Sequence, residues 1–257
     1  MPPIMKPGAI AFIAVTLLSA PALASADGPA ATNLPTSART EGKTEPAKAP
    51  VDWGALFKMH WQNRVAAFKE ENLEWQHAVL LGDSITEGFE VTKYFAGRRV
   101  LNRGIGADVI GNSLPADDPR GVLQRLDNSV FDCAPSDLFI LIGINDLNSG
   151  RTLDSMEAGY RELLRRIRQK RPDLRIFVQS VLPTRGEHAK QNAPVVEFNQ
   201  RLKRLASDYG CSFLDLHALM RDADGQLKAE YTTDGLHLTE PAYLVWREQI
   251  LKALNWK

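Results

Sequence analysis

The chain has little of what marks whole classes of protein. Its formal net charge is zero over 257 residues, so it offers no basic footprint for nucleic acid and no single-sign field. No apolar run reaches the roughly 18 residues that a membrane-spanning helix needs. Only two cysteines occur, with no Cys-x-x-Cys and no His-Glu-x-x-His, so no metal site is indicated and no cofactor is expected. A Gly-x-Ser-x-Gly elbow is missing too, because Thr86 stands where its second glycine would be. No internal repeat divides the sequence.

The N-terminal residues are unlike the rest. Lys6 is the only early charge, Ala9 to Ala20 form an apolar stretch, and Ala22-Leu23-Ala24 and Ala24-Ser25-Ala26 offer small-residue cleavage sites. That order predicts a secretory signal peptide over 1–26, and hence a periplasmic or secreted bacterial protein. An uncleaved anchor is the alternative; after cleavage no transmembrane anchor is expected. Residues 27–50 are rich in Ala, Pro, Thr and Lys and read as a flexible tether. The folded domain is expected over 51–257. Export permits a disulfide, but Cys133 and Cys211 each precede a different strand-like run. Strands held apart by another put the sulfurs out of reach, so two unpaired, partly buried thiols are expected.

From Trp53 to about Trp75, Leu56, Met59, His60, Val65 and Phe68 recur at helical spacing. Strand-like runs follow at 78–82, 99–102, 137–142, 175–182 and 212–216. Helical patterns lie between them, clearest at 153–171, at 194–209 and after Thr239. Near-continuous apolar strands alternating with helices predict an α/β fold, a parallel sheet covered on both faces.

In such a sheet, function gathers at the carboxyl ends of the strands. The first run ends in Gly82-Asp83-Ser84, the second in "NRGIGAD", the third in "GIND" and the fourth in "LPTRGEH". The fifth leads to "TTDGLHL", residues 232–238. Each delivers polar or glycine-rich sequence to one edge. Ser84 is either a helix cap or a nucleophile presented at a strand-to-helix turn. His237 follows Asp234 by three residues, a spacing that lets the carboxylate hold one ring nitrogen while the other takes a serine proton. The alternative is a plain Asp-Gly turn before a helix capped at Thr239. Gly104 and Asn145 suit an oxyanion hole, as backbone and side-chain amide donors; relief of a tight turn and a helix cap are their structural readings. The glycine spacing in "GIGADVIG" does not fit a dinucleotide loop.

These blocks, taken in order, resemble the SGNH (GDSL-type) hydrolases over about residues 53–255. They are most similar to the branch containing platelet-activating-factor acetylhydrolase catalytic subunits and bacterial acetyl esterases. The resemblance implies a three-layer α/β/α sandwich on a flavodoxin-like five-stranded parallel sheet, with the first strand between the second and third. It implies Ser84 as nucleophile, His237 as base, Asp234 as its partner, and Ser84, Gly104 and Asn145 as oxyanion donors. The expected partner is a small-molecule or carbohydrate ester, an acetyl ester above all, with no nucleic acid. A lysophospholipase or broad arylesterase is the alternative, and a catalytically silent binding module is the alternative of another class. Asp83, Arg103, Arg185 and His188 are candidates for substrate contact, or else ordinary loop residues. Asp234→Asn is expected to cost less than loss of His237, because a backbone carbonyl can partly hold the ring.

Overall fold

The computed structural model describes residues 51–72, 78–112 and 114–256. The expected signal peptide, the tether and the end of the first helical pattern, from Leu73 to Trp75, lie outside the described residues. In chain order the elements are α1 (Trp53–Glu71), β1 (Ala78–Gly82), α2 (Ser84–Glu87), α3 (Val91–Tyr94), β2 (Val100–Gly104) and β3 (Asp137–Leu141). There follow α4 (Ile144–Asn148), α5 (Leu153–Lys170), β4 (Arg175–Gln179), α6 (Asn192–Asp208), β5 (Ser212–Leu214), α7 (Leu216–Met220) and α8 (Glu240–Leu254). Short 3₁₀ and π turns fill several connections.

The five strands form one parallel sheet in the order β2-β1-β3-β4-β5. Every residue of β1 and β3 is buried. Alternate side chains of a strand point to opposite faces, so both faces of the sheet centre are covered. That is why those two runs read as unbroken apolar sequence. Phe139 and Phe177 stack across β3 and β4 with centroids 4.4 Å apart. On α5, Met156, Tyr160, Leu163, Leu164 and Ile167 form the buried stripe, while Thr152 caps the first turn by accepting the Ser155 N–H. Among the described residues no helix is long and apolar enough to cross a membrane.

Two strands, β4 and β5, end two or more residues before their apolar runs do. Beyond Gln179 the chain remains buried, but the Val181 N–H and C=O bond the Asn199 side chain of α6 at 2.7 and 2.9 Å instead of a neighbouring strand. Beyond Leu214, Asp215 caps α7 by accepting the Ala218 N–H, which turns Leu216 into helix. A side-chain amide and a cap thus outcompete strand propensity. Cys133 is buried and Cys211 partly buried, and both are free.

The register matters for what sits at the sheet edge. Gly82 at the end of β1 pairs with Gly104 on one side and Leu141 on the other. Three strands therefore stop level with one another and release residues 83–84, 105–108 and 142–145 along a common rim. The strand order reverses beside β1, which opens the crevice that open α/β sheets use for ligands.

Candidate active site

Asp83 and Ser84 divide the two roles that the sequence left open for them. Asp83 is the cap: its Oδ1 accepts the Ile85 N–H at 3.0 Å. Ser84, the first residue of α2, keeps its hydroxyl free, and Oγ lies 3.0 Å from His237 Nε2. On the other side of the ring, Nδ1 lies 2.7 Å from Asp234 Oδ2. The remaining oxygen, Asp234 Oδ1, accepts the backbone N–H groups of Leu236 and His237 at 2.9 and 2.8 Å. The Asp-Gly turn and the hydroxyl–imidazole–carboxylate chain are therefore the same object. Thr239 precedes α8 without a side-chain cap bond; its hydroxyl donates to the Glu230 carbonyl instead.

The turn is braced from two sides. Thr232 Oγ1 accepts the Gly235 N–H at 2.8 Å, and the Arg185 N–H donates to the Gly235 carbonyl at 2.8 Å. Gly235 has φ +87°, and a Cβ there would collide with the Arg185 carbonyl. From α8, Tyr243 Oη donates to the Ile85 carbonyl at 2.9 Å, clasping the turn that carries Ser84.

Charge is strongly shaped here. Partial burial pushes Asp234 up, but hydrogen bonds from the His237 ring and two backbone N–H groups outweigh it and hold the carboxyl at about 2. Asp83 goes the other way: complete burial raises it to about 7, and its Oδ2 has no hydrogen-bond partner among the described residues. Burial likewise brings Asp146 to about 7, although it accepts the Ile110 N–H. Asp108, also buried, pairs with the buried Arg125 at 2.8 Å.

The oxyanion donors need a correction. The Gly104 N–H is already given to Asn102 Oδ1 at 2.8 Å, and Gly104 is the last residue of β2. Its lack of a side chain serves packing instead, since a Cβ would collide with the Glu87 backbone nitrogen. Further along the loop, the Ile105 N–H goes to the Gly82 carbonyl, that of Gly106 to Glu87 at 2.6 Å, and that of Asp108 to the Ile105 carbonyl. Among the described residues, Ala107 is the member of this loop whose N–H has no partner. Ala107 is partly exposed, with φ +58°. The sequence hid it, because an alanine gives no sign of a left-handed turn; the small pair Gly106-Ala107 was the available clue. Asn145 donates from Nδ2 to the Asp108 carbonyl at 2.9 Å. An amide has two N–H bonds, so this contact fixes the direction of the second.

Three of the four candidate substrate contacts are structural. Asp83 is buried. Arg103 is buried as well, bonded to Glu71 and Asn72 with its guanidinium 4.5 Å from the Phe68 ring centroid. Arg185 donates to the Leu227 carbonyl and to Asp222. His188 alone stays at the rim: it is partly exposed, and a Cβ on Gly235 would stand 3.6 Å from its ring. The sequence also gave no notice of Arg125, whose buried guanidinium donates to the carbonyls of Gly82 and Arg103 and to Ser129 Oγ.

A hydroxyl hydrogen-bonded to an imidazole, itself held by a carboxylate, can lose its proton as it attacks an acyl carbon. The comparisons agree with that chemistry. The GDSL-like Lipase/Acylhydrolase family matches residues 80–245. Platelet-activating factor acetylhydrolase IB subunit alpha1 of Pongo abelii is 27% identical over 218 residues, covering 79% of this chain and 86% of that protein. Two solved structures share the fold. A GDSL-like lipase from Bacteroides thetaiotaomicron has a TM-score of 0.61 at 20% identity, covering 78% of this chain and 98% of its own. Axe2, an acetylxylan esterase from Geobacillus stearothermophilus, has a TM-score of 0.57 at 18% identity, covering 71% and 95%. The chain belongs to the GDSL-like lipase/acylhydrolase family and is a hydrolase of esters.

Proposed function

We propose that the protein is a serine esterase that removes short acyl groups, acetyl above all, from a carbohydrate or similarly polar alcohol through an acyl-enzyme. The observation that carries the reading is the hydrogen-bonded chain Ser84–His237–Asp234, at 3.0 and 2.7 Å. His237 Nε2 takes the Ser84 proton as Oγ attacks the acyl carbon. The carbonyl oxygen becomes an oxyanion facing the N–H groups of Ser84 and Ala107 and the second N–H of Asn145. One such donor is worth about 3–4 kcal/mol in the transition state. The intermediate collapses when the imidazolium returns its proton to the departing alcohol. A water molecule, activated by the same nitrogen, then releases the acid.

Two observations favour a short acyl group on a large or polar alcohol. The side chains of Asp234 and His237 are 48% and 50% exposed, so the chain of groups lies open and a bulky leaving group reaches it without a lid. Two relatives carry acetyl esters in their names, an acetylhydrolase and an acetylxylan esterase. Hydrolysis of acetyl, octanoyl and palmitoyl 4-nitrophenyl esters tests this: on this reading kcat/KM should fall steeply beyond about four carbons. A palmitoyl ester cleaved as well as the acetyl ester would move the reading to lysophospholipase. Covalent labelling by a fluorophosphonate, lost in Ser84→Ala, tests the nucleophile and sets aside a silent binding module. The order of Lys6, the apolar stretch and the small residues supports export with cleavage near Ala26; the N-terminal sequence of protein recovered outside the cytoplasm checks it.

A further inference from the structure

The helix α1 lies outside the span that the family matches, yet it grips the loop that carries Ala107. Glu87, one turn beyond Ser84 on α2, is where this happens. Its carboxylate accepts the Gly106 N–H at 2.6 Å. It bonds the His60 ring at 3.0 and 3.1 Å and pairs with Arg64 Nε at 3.2 Å. His60 and Arg64 both belong to α1, and Arg64 also donates to the Gly104 carbonyl at 3.4 Å. Below these contacts Trp61, Val65 and Phe68 of α1 pack on Ile105, the residue between those two glycines. The side chains of Glu87 and Arg64 are 23% and 26% exposed, so that pair is partly shielded from screening, while His60 stands more open at the edge. It behaves as an ion pair: Glu87 raises His60, and although burial pushes Glu87 up, the His60 ring and Arg64 bring it below its ordinary value.

Ala107 needs such support. At φ +58° it holds a conformation that side-chain-bearing residues seldom adopt and that persists only where the surroundings enforce it. Asn145 holds the next carbonyl, that of Asp108, and Arg120 donates to the Ala107 carbonyl at 3.4 Å. The Ile105–Gly106 peptide, one unit before the peptide that carries the Ala107 N–H, is held by Glu87. We propose, resting on the serine-esterase reading, that Glu87 is a positioning residue: anchored by His60 and Arg64, it fixes the Gly106 peptide so that the adjacent Ala107 N–H stays aimed at the developing oxyanion. In this arrangement α1 completes the active site without touching the substrate.

The test uses the full chain and three variants: Glu87→Ala, Glu87→Gln and the double variant His60→Gln/Arg64→Gln. Each is titrated with a fluorophosphonate, and kcat and KM for 4-nitrophenyl acetate are expressed per titrated site. Inhibition by a small boronic acid, which forms a tetrahedral adduct on the serine, is measured alongside. Glu87→Ala should lower kcat about tenfold or more with KM within about twofold, since a displaced donor is lost only to the transition state. The boronic acid should weaken by the same factor. Glu87→Gln keeps an acceptor for the Gly106 N–H and should recover most of the loss. A purely structural role would reduce the number of titratable sites and leave kcat and inhibition per site unchanged; that result, or a Gln variant as impaired as Ala, overturns the proposal. Should Glu87→Ala fail to fold, the double variant decides: a fall in kcat per site supports the anchoring, and an unchanged value refutes it. A wild type that hydrolyses no ester and takes no label ends the esterase reading itself, whereas an active wild type with an indifferent Glu87 ends only this inference.

Discussion

Asp234 does separate work with its two oxygens, and this changes what an amide there would do. Oδ1 accepts two backbone N–H groups while Oδ2 faces His237 Nδ1. In Asp234→Asn the amide oxygen must remain with the backbone donors, so the amide nitrogen turns towards the ring and presents a hydrogen to Nδ1. The imidazole then carries its proton on Nε2 and cannot accept one from Ser84. We expect kcat to fall about 10⁴-fold, as wrong-tautomer variants do; a loss under tenfold would show another group holding the ring. This replaces the milder cost expected from the sequence. Asp83 gives a prediction about pH. Its carboxyl is at about 7 in the folded protein against 3.8 ordinarily, so between these values the unfolded chain has lost a proton that the folded one keeps. Stability therefore drains away as pH rises from about 4 to 7. Asp83→Asn keeps the cap and removes the titration, so its Tm relative to wild type should be higher at pH 8 than at pH 4. An equal difference at both pH values would contradict the burial argument.

At the scale of elements, Arg185 belongs to a brace between loops. Its guanidinium joins the Leu227 carbonyl and Asp222, whereas substrate contact was the expectation from "LPTRGEH". Arg185→Ala should lower Tm and leave KM for small esters within about twofold, since only folded-state bonds are removed; a KM raised tenfold with Tm unchanged would restore the binding role. The same element shows why some of the site was legible and some was not. Ser84, Asp234, His237 and Asn145 stand in short motifs whose spacing is local chemistry, and the apolar runs of β1 and β3 announce a sheet covered on both faces. The ends of β4 and β5 depend on Asn199 and on the Asp215 cap, which a period count does not weigh. Gly104 loses its N–H to Asn102, two residues back, while the loop around Ala107 and the burial of Arg103 depend on partners far off in sequence: Glu87 on Gly106, Asn145 on the Asp108 carbonyl, and Phe68. An exposed loop arginine and a buried one read alike in sequence.

For the molecule as a whole, no covalent cross-link joins its halves. Cys133 and Cys211 are free, and burial raises both thiols above their ordinary range. Dithiothreitol should leave Tm unchanged, and native thiol labelling should be slow until the protein is unfolded; a Tm lowered by reductant would reveal a bridge. Cohesion comes instead from the packed sheet and from contacts such as that of Tyr243 with the turn at Ile85. Ser84 and His237 stand 153 positions apart in the sequence, and the clasp on the turn at Ser84 comes later still. On the serine-esterase reading, a ribosome must therefore have passed Tyr243 before any molecule can cut an ester. Nascent chains are then harmless to acylated compounds in the cell that makes them, and hydrolysis begins only after α8 has closed over the first strand's turn.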